Sequence, residues 1–119
     1  MGKGFRDLRV WQESKKLAID IYQLTSKGKI QTDFALRDQI RKSAVSIPSN
    51  IAEGDERDTD REAIRFFYIA KGSLAELRTQ IEIARDIGYL DDKDYKEKEE
   101  QCQQIGRMLG SLIKARSLK

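Results

Sequence analysis

Histidine is absent from the 119 residues, and cysteine and proline each occur once. Without histidine the chain lacks the commonest general base and the commonest metal ligand. That excludes Ser-His-Asp triads, Cys-His pairs and the Glu-x-x-His di-iron sites of helical bundles. The lone Cys102 excludes an intramolecular disulfide and suits a reducing compartment, so a cytoplasmic location is expected. No apolar run approaches the ~20 residues needed to cross a bilayer, so no membrane role is expected. The N-terminal MGKGFRDLRVWQ is polar and shows no signal-peptide core. No Gly-rich phosphate loop follows a strand pattern, and acid pairs such as Glu76 with Glu82 do not share one helix face. The reading is therefore not an enzyme, with no catalytic, metal or cofactor site.

What the chain has in quantity is charge and helical periodicity. Charged residues make up 36% of it, with a net charge of +3. Its length suits one domain over residues 1–119. A first helix is expected from about Asp7 to Lys27, with Gly28 as its C-cap. Leu8, Trp11, Ala18, Ile21, Tyr22 and Thr25 lie on one side of it, and Val10, Leu17 and Leu24 widen that side. Trp11, on the stripe, reads as a core anchor rather than a stacking platform.

Thr32 or Asp33 can cap a second helix, in which Leu36, Ile40, Ser43, Ala44, Ile47 and Ile51 recur at three- and four-residue steps. Pro48 interrupts it. One reading stops the helix near Ser46 and restarts it at the proline. The other keeps a continuous, kinked helix, with Ser43 and Ser46 bonding freed backbone groups. The second holds Ile47 and Ile51 on the stripe and is preferred, with Gly54 ending the helix.

Thr59-Asp60-Arg61-Glu62 is a capping box for a third helix. Its Ala63, Phe67, Ala70, Leu74, Leu77, Ile81, Ala84 and Gly88 follow an a/d seam. Gly72 is expected to allow a close helix approach, and Gly88 to close the helix. Asp91 caps the fourth helix, whose seam is Tyr95, Lys98, Cys102, Ile105, Leu109, Leu112 and Arg116, with Gly106 and Gly110 beside it for tight packing. Cys102 on this seam reads as a small core residue. The fold class is all-α, an antiparallel up-down-up-down four-helix bundle.

Three groups of residues stand apart from the seams. A basic group, Lys15, Lys16, Arg37, Arg41 and Lys42, can meet a phosphate backbone or be simply solvated. A polar row, Gln39, Ser46, Asn50 and Glu53, can form interhelical or intersubunit hydrogen bonds with Ser73 and Glu76, or be a solvated flank. An apolar row, Ile69, Ile83 and Ile87, exceeds what the core needs and suits a partner surface. In the expected topology, Lys3, Arg6, Arg9, Arg107, Lys114 and Arg116 share one end with Asp55, Glu56, Asp58 and Asp60, and are at least partly neutralised there.

The phrases SIPSNIAEG and AKGSLAEL, with FRDLRVWQESKKLAIDIYQLT and FFYIAKGSLAELRTQIEIARDIGYL around them, carry a family resemblance. The chain resembles the bacterial four-helix-bundle proteins encoded by intervening sequences within 23S rRNA genes. The family also includes the accessory variability protein of diversity-generating retroelements, implicated in binding nucleic acid and a reverse transcriptase. The resemblance implies an antiparallel bundle and a ring-like homopentamer. Where relatives often have a Phe-Pro turn, this chain has SKGKIQTDF, which sets the first link apart. Together these readings favour an oligomeric scaffold binding RNA or DNA through repeated basic patches. A protein-interaction adaptor using an apolar helix flank is the alternative.

Overall fold

The computed structural model describes residues 4–118, and in it side-chain caps set three of the four helix starts. Asp33 accepts the Leu36 N–H at 3.2 Å, Thr59 the Glu62 N–H at 3.2 Å, and Asp91 the Asp94 N–H at 2.7 Å. Each satisfies a donor that the first helical turn leaves without a partner. The helices are α1 (Arg9–Leu24), α2 (Phe34–Asp55), α3 (Asp60–Asp86) and α4 (Asp92–Ser117). Short 3-10 turns occupy Gly4–Asp7 and Lys29–Thr32, and no strand occurs among the described residues.

Helix ends follow the same local chemistry. After α3 the Tyr89 N–H reaches the Ala84 carbonyl and the Gly88 N–H the Arg85 carbonyl, with Gly88 at φ 87°. This is a Schellman turn, and it needs the left-handed conformation that glycine adopts cheaply. α1 ends earlier than its spacing predicts. The Thr25 hydroxyl donates to the Ile21 carbonyl at 2.8 Å and the Ser26 hydroxyl to the Tyr22 carbonyl at 2.6 Å, occupying acceptors of the last turn. Gly28, at φ 71°, therefore lies in the link rather than capping α1.

α2 is continuous through Pro48. The flanking side-chain bonds differ from those expected of Ser43 and Ser46. Ser49 donates to the Val45 carbonyl at 2.8 Å and Asn50 to the Ser46 carbonyl at 2.8 Å. The Ser43 hydroxyl turns to the Ile40 carbonyl, and Ser46 pairs with Ser73. Gly54 does not end the helix, which runs on to Asp55. A Cβ there would lie 2.8 Å from Phe67 Cε1 and 2.9 Å from the Ala63 carbonyl, so the missing side chain lets α2 and α3 close on each other. Gly72 and Gly110, expected to sit at close contacts, have nothing within 4 Å of a built Cβ, and Gly106 meets Leu74 at an ordinary 3.5 Å.

α1 packs on α2, α2 on α3, α3 on α4, and α4 back on α1. Ser43 meets Gln80 while Ser46 meets Ser73, so α2 and α3 run antiparallel. Arg85 over Tyr95 and Arg78 on Glu99 show the same for α3 and α4. One contiguous core includes Leu17 and Ile21 of α1, Ile40, Ile47 and Ile51 of α2, Phe67, Leu77 and Ile81 of α3, and Ile105 and Leu109 of α4. On α1 the buried residues are Val10, Ser14, Leu17, Ala18, Ile21 and Leu24, so the flanking Val10, Leu17 and Leu24 are buried together with Ala18 and Ile21 of the expected stripe. Tyr22 is instead 45% exposed and Trp11 is half-buried, because α2 and α4 cover the neighbouring face. On α4, Ile113 rather than Leu112 continues the buried line.

At one end Arg116 donates to Asp55 at 2.9 Å and to Asp60 at 3.0 Å, tying the end of α4 to the end of α2 and the start of α3. Of the cations expected to meet the acidic loop, Arg116 does so, with Asp55 and Asp60. Lys3 and Lys119 lie outside the described residues.

Candidate nucleic-acid interface

Cations of α1 and α2 are laid over aromatic rings along one side of the bundle. Trp11 and Lys15 are four residues apart on α1, and the ammonium sits 5.2 Å from the ring centroid. Phe34 and Arg37 are three apart on α2, at 4.7 Å. Both contacts follow from helical spacing. The third does not, since Arg41 of α2 stacks over Tyr22 of α1 at 4.6 Å. Its Nε donates to the Thr25 hydroxyl at 2.8 Å and its Nη2 to the Ser26 hydroxyl at 3.1 Å.

The electrostatic consequence separates these cations. Arg41 is held by two hydroxyls and a ring, and no carboxylate lies within ion-pair distance of it among the described residues. Its orientation is set while its charge is left available. Arg37 donates to Asp38 at 3.0 Å and to the Gln31 carbonyl at 3.1 Å, so it is partly neutralised. Lys16 pairs with Asp20 at 3.1 Å and lines a 410 Å³ cleft between α1 and α4 that also holds Glu97, Lys98, Glu100 and Gln101. Burial opposes ionisation of Asp20, but hydrogen bonds from Gln101 and Lys16 outweigh it and hold the carboxyl below its ordinary value. Lys16 thus faces away from Arg41 toward acids, and the basic group does not form one patch. Lys15 instead lines a 390 Å³ groove between α1 and α2, with Ala18, Ile19, Tyr22, Val45 and Pro48 as its apolar walls.

The polar row resolves into a second feature. Between α2 and α3 lies a 240 Å³ cleft with Gln39, Lys42 and Ser46 on one wall and Ser73, Glu76 and Gln80 on the other. Ser43 donates to Gln80 Oε1 at 2.7 Å, and the Ser46 and Ser73 hydroxyls are 2.8 Å apart. Gln80 was not legible as a member, since only the packing of α2 on α3 brings it to Ser43. Asn50 bonds back to Ser46 within α2, and Glu53 turns to Arg57 at 3.5 Å, so neither reaches α3. Ile69, Ile83 and Ile87 of α3 are 45%, 46% and 54% exposed.

Groups for covalent or metal chemistry are not assembled here. Burial pushes the Cys102 thiol up to about 12, with the Glu99 charge adding to it, so the thiolate is not available near neutral pH. No cluster able to hold a metal ion occurs among the described residues, and no helix is long and apolar enough to cross a membrane.

Comparison with known proteins places this geometry. A family model described as 23S rRNA-intervening sequence protein matches residues 6–111. A crystal structure of a protein with unknown function from the S23 ribosomal protein family of Bacteroides thetaiotaomicron VPI-5482 is similar, with a TM-score of 0.81 and 25% identity. The match covers 88% of this chain and 98% of that one. No curated protein matches.

Proposed function

Since the chain belongs to the 23S rRNA-intervening sequence protein family, we propose that it is a non-enzymatic, oligomeric scaffold that binds nucleic acid through its α1–α2 face. The observation that carries this reading is Arg41, a guanidinium fixed by Tyr22, Thr25 and Ser26 with no carboxylate paired to it among the described residues. A phosphate binds best to a cation that is already oriented and not already neutralised. Arg37 lies one turn before it, and Phe34 is 62% exposed, giving a ring on which an unpaired base can stack; Lys42, on the α2–α3 cleft, lies off this face. One such patch is weak, and a homo-oligomer, for which the family resemblance suggests five copies, repeats it.

Filter binding with generic RNA and DNA across a salt series tests this. Arg37→Ala with Arg41→Ala should weaken binding and flatten the salt slope by about one unit per lost phosphate contact. Arg107→Ala with Lys114→Ala on exposed positions of α4 should do much less. Equal losses would reject the localisation, and no wild-type binding at low salt would reject nucleic acid altogether.

The adaptor reading is favoured by the exposed isoleucines of α3. Salt-insensitive capture of one protein, lost on Ile83→Asp, would support it.

A further inference from the structure

The cleft between α2 and α3 holds more hydrogen-bonding capacity than the joining of the two helices uses. Ser43 and Ser73 are the buried polar side chains of α2 and α3, and both line it. Two bonds cross it, from Ser43 to Gln80 Oε1 and between the Ser46 and Ser73 hydroxyls. Those bonds leave donors over. Asn50 Nδ2 donates to the Ser46 hydroxyl at 3.0 Å, and the two serine hydroxyls hold one proton between them. The pair therefore keeps a second proton with no acceptor among the described residues. Gln80 accepts through Oε1, and its amide N–H groups have no partner there.

The charged groups of the cleft are also unused. Lys42 lines it from α2 and Glu76 from α3, yet the two side chains are not ion-paired, with each other or with any described residue. Fixing the register of α2 on α3 needs only the two crossing bonds, so it does not account for a cation and an anion on opposite walls. A ligand of one sign fits this arrangement poorly. An anion would lie against Glu76 and a cation against Lys42, and like charges in contact oppose binding. A small molecule carrying both signs satisfies both walls. The volume, 240 Å³, is below the ~300–1,000 Å³ of sites for drug-sized ligands. Every side chain lining the cleft ends in a polar group, so the rest of the ligand is short and polar too.

We propose that the α2–α3 cleft binds a free polar α-amino acid, with its carboxylate on Lys42 and its ammonium on Glu76. The amide of Gln80 and the spare serine proton supply donors to its carboxylate or to a side-chain oxygen. This site lies off the α1–α2 face and is independent of nucleic-acid binding.

Isothermal titration calorimetry of the full chain tests it, with L-serine, L-asparagine and L-glutamine each taken to about 20 mM, a range that ligands of few atoms require. At least one should bind saturably at one site per chain. Its N-acetyl and carboxamide derivatives each lack one charge and should bind at least about tenfold more weakly. Lys42→Met and Glu76→Gln should each weaken the free amino acid by a similar factor. Both residues are exposed, so circular dichroism should show the fold unchanged. Lys15→Met, on the opposite groove, should bind as wild type does. Absence of saturable binding by all three amino acids would overturn the proposal and leave the cleft a register between helices. Equal binding of the capped derivatives, or a loss in only one of the two cleft variants, would overturn recognition of both charges. Binding unchanged in both cleft variants, or lost equally in Lys15→Met, would overturn the site.

Discussion

Replacing Gly54 with alanine should destabilise the fold although alanine is the better helix former. Gly54 lies in the last turn of α2, and a Cβ would meet Phe67 Cε1 at 2.8 Å, the Ala63 carbonyl at 2.9 Å and Phe66 Cβ at 3.0 Å. Two of these neighbours belong to α3 too near its axis to rotate away, and the Phe67 ring is fully buried. Relief therefore requires the helices to separate. Overpacking of this kind costs ~1–3 kcal/mol, and the absence of a rotamer escape places it toward the top of that range. The helix-propensity gain of ~1 kcal/mol offsets part of it. The net expectation is a loss of ~1–2 kcal/mol, or a Tm about 4–8 °C lower for a domain of this size.

Urea unfolding followed by circular dichroism measures this. It needs one fixed protein concentration, because the proposed self-association would add concentration-dependent stability. Gly110→Ala is the control: nothing lies within 4 Å of its Cβ, so it should stabilise by up to ~1 kcal/mol. Gly54→Asn separates packing from helix termination. Asparagine tolerates the left-handed conformation of a terminator, but it is larger than alanine. Gly54 has no positive φ, so asparagine should be the worse variant. Asparagine equal to or better than alanine would refute the argument.

Further expectations follow from the charged and ionisable groups. Arg116→Met removes the bonds to Asp55 and Asp60 and leaves two carboxylates facing each other, which should cost about 2 kcal/mol in the same assay; a change under about 0.5 kcal/mol would count the bridge as solvated. Asp20 has a folded pKa below its unfolded one, so its stabilising contribution is complete above the unfolded pKa and is lost as pH falls through the folded one. Asp20→Asn should therefore flatten the acid limb of the stability profile, and an unchanged limb would show that the Lys16 and Gln101 bonds contribute nothing. Tyr89 donates to the capping Asp33 at 2.9 Å, a bond that raises the phenol pKa. Its contribution is present below the unfolded pKa and lost as pH rises through the folded one, so Tyr89→Phe should flatten the alkaline limb. Cys102 should resist iodoacetamide at pH 8 in the native protein and react on unfolding; rapid native alkylation would mean the helix 4 seam opens.

Much of this protein is local, and what is local was legible in its sequence. Asp33, Thr59 and Asp91 could be read as caps because a cap is a bond between a side chain and a backbone donor three residues on. The α3 seam was readable because its residues repeat with the helix: Ala63, Phe67, Ala70, Leu74, Leu77, Ile81 and Ala84 are buried, and only Gly88, already past the helix end, is exposed. The family phrases SIPSNIAEG and AKGSLAEL lie within the stretch that the family model matches. Tertiary structure decided what depends on a neighbour. Gly54 reads as a terminator until Ala63 and Phe67 arrive against it, and Gly72 reads as a contact until none is found. Tyr22 belongs to the same apolar arc as Leu17, and only the placement of α2 and α4 buries one and turns the other to Arg41. Arg41 and Lys16 are equivalent as charges in a string of letters. Packing gives Arg41 a ring and two hydroxyls of α1, because the helix presented across an interface is a property of the bundle; Lys16 meets Asp20 one turn on in its own helix, a pairing that the spacing alone offers.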